Sequence, residues 1–105
     1  PPRSTLFPYT TLFRSYSLTR YQAKTYAPLG ILVNAVMPAV IMSDMIMTRY
    51  ASEEEMQAHY IPQMPVRRIG YPEDVANVVL FLCSDLSSYV NGEIIVADGG
   101  RMYVG

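Results

Sequence analysis

Two short apolar segments, separated by a helix-forming segment, restrict what this chain can fold into. Residues 31–36 are apolar and rich in β-branched side chains, which is typical of a strand buried on both faces, and residues 94–96 predict a final short strand. A helix between two such strands predicts a parallel pair joined by a right-handed crossover. Two parallel strands alone leave their edges unpaired, so the sequence predicts an incomplete α/β sheet.

Helix start and stop signals organise the rest of the chain. A first helix is predicted from four residues at helical spacing, Leu18, Tyr21, Gln22 and Thr25, and Pro28 ends it. Ser52 and Glu55 form a capping-box pattern, which predicts a short helix over about residues 53–59. Pro72 predicts a further helix start, and an apolar stripe follows it at Val75, Val78, Val79 and Leu82.

Composition and charge exclude several classes of function. The 105 residues make at most one domain, and a net charge of −1 without a basic stripe argues against nucleic-acid binding. The longest apolar run, residues 78–83, is too short to span a bilayer, so no membrane partner is expected. The single cysteine, Cys83, is expected to be a buried small hydrophobe, and the cytoplasm is the expected location.

Four stretches in order resemble the C-terminal part of a short-chain dehydrogenase/reductase. They are LTRYQAKTYAPLGI at 18–31, VNAVMPAVI at 33–41, RIGYPEDVA at 68–76 and SSYVNGEIIVADGG at 87–100. The resemblance implies part of a doubly wound Rossmann-type parallel sheet, with two strands and about three helices. It also implies NAD or NADP bound at the carboxyl ends of the strands in a parent protein. Residues 16–105 would then be the C-terminal portion of one such domain.

The resemblance assigns a nicotinamide-binding loop to residues 38–43. The predicted cofactor-binding residues are Pro38, Ala39, Val40, Ile41 and Ser43. Val40 and Ile41 align with backbone contacts to the carboxamide, and Ser43 keeps the hydroxyl of the family's threonine. Ala39 replaces a glycine, so the loop would be strained if that position needs a positive φ. The alternative is that these are ordinary turn residues after a strand.

The methionine-rich segment that follows aligns with the family's substrate-binding segment. The predicted substrate-binding residues are Met42, Met45, Ile46 and Met47. Methionine is flexible and apolar, which suits an adaptable pocket, but the same residues serve equally well as core packing. No metal site is predicted, since Glu53, Glu54 and Glu55 lack His or Asp neighbours.

The family's catalytic groups are missing from the sequence. Counting back from Gly30 places the expected tyrosine and lysine at Pro8 and Leu12, and no Gly-rich pyrophosphate loop occurs. Tyr16 has Arg20 four residues on, but this pair lies two helical turns out of place, and arginine does not imitate the lysine. No catalytic residue is therefore assigned.

Residues 1–15 have a separate interpretation. Their sequence, PPRSTLFPYTTLFRS, is the translation, without a mismatch, of DNA that resembles the 3′ part of a widely used short-read sequencing adapter. The segment is predicted to be non-biological, with authentic sequence beginning at about Tyr16.

The resemblance implies a parent oxidoreductase that moves hydride between nicotinamide and a small-molecule carbonyl or secondary alcohol, as a homodimer or homotetramer. This chain alone is expected to be inactive and not to bind the cofactor. Two alternatives stay open: a non-enzymatic interaction half-domain that docks on a partner's sheet edge, and a divergent enzyme that uses Tyr16 and Arg20.

Overall fold

The computed structural model describes the backbone of residues 8–101 and the side chains of residues 14–101. Four α-helices and two strands occur in this part of the chain. In order they are α1 (Pro8–Tyr26), β1 (Ala35–Pro38), α2 (Asp44–Met47), α3 (Glu53–Tyr60), α4 (Pro72–Leu82) and β2 (Ile94–Ala97). The expected positions of the family's tyrosine and lysine, Pro8 and Leu12, lie in α1, but their side chains are outside the described residues.

The two strands form a parallel pair, as the sequence predicted. Their register runs from Ala35 opposite Ile94 to Pro38 opposite Ala97, and α4 packs against both strands. The carboxyl ends of both strands therefore meet at the same edge of the sheet. This α/β arrangement confirms the predicted fold class.

The first strand begins later than predicted, and it is less buried. Pairing with β2 starts only at Ala35; before it, the Val33 N–H donates to the Asn91 side chain at 2.9 Å. Ile31 is 50% exposed and Leu32 is 44% exposed, so the prediction that both faces of this segment are buried was wrong. The physical reason is that the described residues supply one neighbouring strand, on one side only.

The hydrophobic core lies beyond the carboxyl end of β1 rather than on the sheet itself. Its centre is formed by Val40, Met56 and Ile69, which are 7%, 0% and 3% exposed. Partly buried side chains pack around this centre: Met42, Ile46, Met47, Tyr50, Tyr60 and Ile61. The residues that follow β1 are thereby held in a packed unit.

The helix starts follow the predicted capping chemistry with one difference. The Ser52 hydroxyl accepts a hydrogen bond from the Glu55 N–H at 3.1 Å, as an N-cap residue does. The Glu55 carboxylate accepts from the N–H of Ala51 at 3.0 Å, one residue earlier than in the standard capping box. Helix α4 begins at Pro72, as predicted.

Much of the apolar surface of α4 faces outward. Val79 and Leu80 are 45% and 68% exposed, and no described element covers this face. Cys83, which follows the helix, is also exposed, so the prediction of a buried cysteine was wrong. The apolar stripe correctly predicted the helix, but burial of the whole stripe requires more structure than the described residues provide.

Candidate functional site

A cavity of about 390 Å³ lies at the carboxyl end of β1. It is lined by Pro38, Ala39, Val40, Ile41, Ser43, Met45, Ile46, Arg49 and Tyr60. All five residues predicted to bind the cofactor are therefore brought together on one cavity. Its volume falls in the range of small-molecule sites, and its position fits the rule that open α/β sheets bind ligands at the carboxyl ends of their strands.

Gly70 holds the predicted cofactor loop in place. Its N–H donates to the Val40 carbonyl at 3.2 Å, and its own carbonyl accepts from the Met42 N–H at 2.8 Å. A Cβ at this position would lie 2.7 Å from Ile41 Cδ1, so only glycine fits without displacing that side chain. Sequence reasoning assigned Gly70 no role, although the residue lies within the RIGYPEDVA motif.

The two hydrogen bonds between Gly70 and the loop leave the backbone of Ile41 free to bind a ligand. Since Val40 and Met42 make the two bonds to Gly70, the N–H and carbonyl of Ile41 point to the other side of the loop. Within residues 14–101 neither group has a hydrogen-bond partner. A donor and an acceptor on one residue that lines the cavity match what a primary carboxamide requires.

Ser43 and Ala39 are both compatible with a binding role. The Ser43 hydroxyl oxygen accepts from the Ile46 N–H at 3.3 Å and caps α2, which leaves its O–H available as a donor. Ala39 does not have a positive φ in this structure, because Arg67 is the only non-glycine residue with one among those described. The strain that was anticipated at Ala39 is therefore absent.

The predicted substrate-binding residues divide into two groups. Met45 and Ile46 line the cavity, and Met45 is 71% exposed. Met42 and Met47 pack against the core around Met56 and do not line the cavity. Arg49 and Tyr60, which no sequence argument singled out, complete the wall.

Tyr16 and Arg20 lie at the other end of the sheet. Arg20 Nε donates to the Tyr16 hydroxyl at 2.9 Å, and Arg20 Nη1 lies 3.6 Å from Glu93, which directly precedes β2. The cavity follows the opposite ends of the strands, about 13 Å away at roughly 3.3 Å per residue. This placement argues against a catalytic role for Tyr16 and Arg20.

Below the loop, Arg68 and Asp74 form a bidentate ion pair beside a second cavity of about 160 Å³. The two bonds measure 2.8 Å and 2.9 Å, and the Asp74 carboxylate also accepts from the Tyr71 N–H at 2.7 Å. The Arg68 hydrogen bonds, followed by the Tyr71 bond, lower the pKa of Asp74 from 3.8 to about 2. This pair fixes the start of α4 next to Gly70.

The described residues hold neither a cluster of metal-ligating side chains nor a membrane-spanning helix. Among residues 14–101, no group of three or more His, Cys, Asp or Glu side chains is arranged to hold a metal ion. In the part of the chain that the structure describes, no helix is long and apolar enough to cross a membrane.

Comparison with known proteins identifies the family. A family profile described as enoyl-(acyl carrier protein) reductase matches residues 15–102. The 3-oxoacyl-[acyl-carrier-protein] reductase FabG of Aquifex aeolicus (strain VF5) is 50% identical over 91 residues, which cover 87% of this chain. The chain belongs to the short-chain dehydrogenase/reductase family. An acetoacetyl-CoA reductase of Shinella zoogloeoides is 38% identical over 82% of the chain.

Solved structures of short-chain dehydrogenases/reductases share the fold. A short-chain type dehydrogenase/reductase from Mycobacterium ulcerans aligns with a TM-score of 0.76 and 33% identity, over 87% of this chain and 33% of that protein. YwfH, described as an NADPH dependent reductase involved in bacilysin biosynthesis, aligns with a TM-score of 0.72 and 27% identity, over 83% and 36%. The resemblance inferred from the four motifs is thus confirmed.

The chain spans about a third of the length of the curated relatives it matches. It spans 36% of the Aquifex reductase and 35% of the Shinella reductase. The family match begins at Ser15, whereas the interpretation of residues 1–15 as adapter stays a prediction.

Proposed function

We propose that residues 16–105 form the C-terminal part of a nicotinamide-dependent oxidoreductase. Its reaction would move hydride between NAD or NADP and a carbonyl or secondary alcohol. The observation that carries this proposal is the unpaired N–H and carbonyl of Ile41 at the carboxyl end of a parallel strand. The reductase names of the relatives and the NADPH named for YwfH support it.

The residues of the loop fit a nicotinamide carboxamide. The carboxamide has an oxygen that accepts and an NH₂ group that donates, and Ile41 offers the complementary N–H and carbonyl. Ser43 lines the same cavity with a free O–H. The Val40 carbonyl accepts a hydrogen bond from the Gly70 N–H and so fixes the loop in place. When bound, the cofactor supplies the hydride; this chain's residues would orient the ring and exclude water from one side of it.

The residues that move the proton would come from the rest of the parent protein. The sequence contains no Gly-rich pyrophosphate loop, and Tyr16 and Arg20 lie far from the cavity. We therefore expect the 105-residue chain alone to be inactive and to bind the cofactor poorly. We also propose that residues 1–15 lie outside the domain, and that the parent is a cytoplasmic homodimer or homotetramer.

A chimeric protein, called the joined protein below, tests this function. Residues 16–105 would replace the matching portion of the Aquifex reductase, whose remaining part would supply the missing sheet and catalytic groups. NADPH oxidation with an acetoacetyl thioester is the readout. The joined protein is expected to turn over and the isolated chain is not; an inactive but folded joined protein would contradict the proposal.

The role of Ile41 is tested in the same joined protein. Ile41→Pro removes the backbone N–H but leaves both bonds to Gly70, which use Val40 and Met42. Loss of one hydrogen bond to the carboxamide is expected to raise the KM for NADPH by about tenfold. Ile41→Val keeps the N–H and serves as the control. An unchanged KM in Ile41→Pro would remove this loop from cofactor binding.

A further inference from the structure

Arg49 introduces a positive charge into the otherwise neutral cavity. Of the residues that line it, Arg49 is the only one with a charged side chain. Its backbone N–H donates to the Ile46 carbonyl at 3.2 Å, which places it one turn beyond the residues of α2 that form the wall. Within residues 14–101 the guanidinium has no hydrogen bond and no ion pair.

The acidic side chains near this wall do not neutralise Arg49. Asp44 begins α2 and Glu55 lies in the first turn of α3, but neither lines the cavity. The Glu55 carboxylate accepts the Ala51 N–H at 3.0 Å and forms no ion pair with Arg49. The guanidinium therefore keeps its donors available for a ligand.

Tyr60 forms a fixed wall beside Arg49. Its ring lies edge-on to His59 at 4.7 Å and to Tyr50 at 5.9 Å between centroids, and the Arg101 guanidinium lies 6.0 Å from its centre. Arg101 is itself bonded to the Gln63 side chain at 3.0 Å. The hydrogen bond with Tyr60 also raises the pKa of Tyr50, so the Tyr50 hydroxyl stays neutral near pH 7.

From this arrangement we infer that Arg49 recognises an oxyanion, a carboxylate or a phosphate, carried by the carbonyl substrate. A guanidinium presents paired donors that match an oxyanion's two oxygens, and the apolar wall formed by Met45 and Ile46 suits the carbon chain between carbonyl and anion. The inference rests on the proposed function, because it is the nicotinamide loop that places a reacting carbonyl in this cavity.

Binding to the full 105-residue chain tests the inference. The chain would be labelled with ¹³C-methyl methionine: Met45 reports on the cavity and the buried Met56 reports on folding. The probes are levulinate and its neutral ester, methyl levulinate. Levulinate is expected to shift the Met45 signal at about three- to tenfold lower concentration than the ester.

Variants separate charge from fold. Arg49→Gln is expected to remove the preference for levulinate and leave ester binding unchanged, whereas Arg49→Lys retains part of it. Arg67→Gln removes the same charge from a residue that does not line the cavity and is expected to behave like the wild type. An unchanged Met56 signal shows that each variant is folded.

Further measurements identify the source of the anion, and they separate a failure of this inference from a failure of the proposed function. A stronger response to 4′-phosphopantetheine than to levulinate would identify a phosphate-bearing carrier; the reverse would identify a small oxo acid. The inference is overturned if levulinate and its ester bind equally well, or if Arg49→Gln binds levulinate as tightly as the wild type does. The proposed function would still stand in that case if the joined protein is active. Arg49-dependent binding with an inactive joined protein would overturn the function and retain the oxyanion site.

Discussion

At the scale of single residues, Asp74 connects pH to stability. Its pKa is lowered to about 2 by the Arg68 side chain and the Tyr71 N–H, so the folded state favours the carboxylate. A lowered pKa gives stability that is fully present above the ordinary value of 3.8 and is lost as the pH falls through about 2.

We predict that Asp74→Asn flattens the pH dependence of unfolding in this window. Urea unfolding followed by circular dichroism at several values between about pH 5 and pH 2 measures it. Glu73 is a neighbouring carboxylate without these bonds, so Glu73→Gln is the control. It is expected to keep the wild-type slope of unfolding free energy against pH. Identical slopes in Asp74→Asn and the wild type would show that the ion pair does not stabilise the fold.

Gly70 provides a second test at this scale, because the space around it is tight. Gly70→Ala is expected to lower the free energy of unfolding by about 1–3 kcal/mol, since the new methyl group would overlap Ile41 Cδ1 at 2.7 Å. Ile41→Val removes that Cδ1 atom. The double variant is therefore predicted to recover part of the loss, and strictly additive effects in chemical unfolding would contradict this account.

At the scale of elements, α3 depends on one cap for its start. Ser52 accepts the Glu55 N–H, and the eight-residue helix presents only Met56 as a fully buried side chain. Ser52→Ala is expected to cost about 1 kcal/mol of stability. Thermal unfolding measures this effect, with Ser52→Asp as a matched variant that retains an acceptor. If Ser52→Ala unfolds at the wild-type temperature, the cap contributes nothing.

Among the elements, those with local chemical signals were predictable and those defined by partners were not. The starts of α3 and α4 follow from Ser52 and Pro72, whose effect acts within a turn of the chain. The start of β1 did not follow, because Ile31, Leu32 and Val33 are as apolar as strand residues although the strand pairing with β2 begins only at Ala35. Strand limits are set by the partner's register, which a single segment does not contain.

At the scale of the whole molecule, the chain exposes more surface than a compact monomer of its mass. Its accessible surface is 7825 Å², against roughly 5,900 Å² for a compact monomer of this mass. The radius of gyration is 16.4 Å, where about 13 Å is typical of a compact domain of this length. Leu80, Leu86 and Tyr89 are 68%, 84% and 100% exposed.

We predict that the isolated chain associates with itself through these surfaces. Gel filtration over a range of concentrations, combined with circular dichroism, is the measurement. Leu80→Lys on α4 is expected to lower the apparent mass, whereas Gln57→Lys adds the same charge at a polar position and leaves it unchanged. A folded species of one defined size would favour the interaction half-domain, heterogeneous aggregates would favour a piece of a larger enzyme, and a monomer at every concentration would contradict the prediction.

The sequence by itself determined the α/β class, the order of helices and strands and the family, and it predicted the cofactor-binding loop at residues 38–43. These follow from local signals: β-branched runs, caps, prolines and motifs in fixed order. Only the tertiary structure brought Gly70 against that loop and turned the backbone N–H and carbonyl of Ile41 away from Gly70. It also placed Arg49 and Tyr60 on the same cavity as the loop. The physical reason is that hydrogen bonding across 29 residues of chain, and packing around Met56, depend on distances in space rather than along the chain.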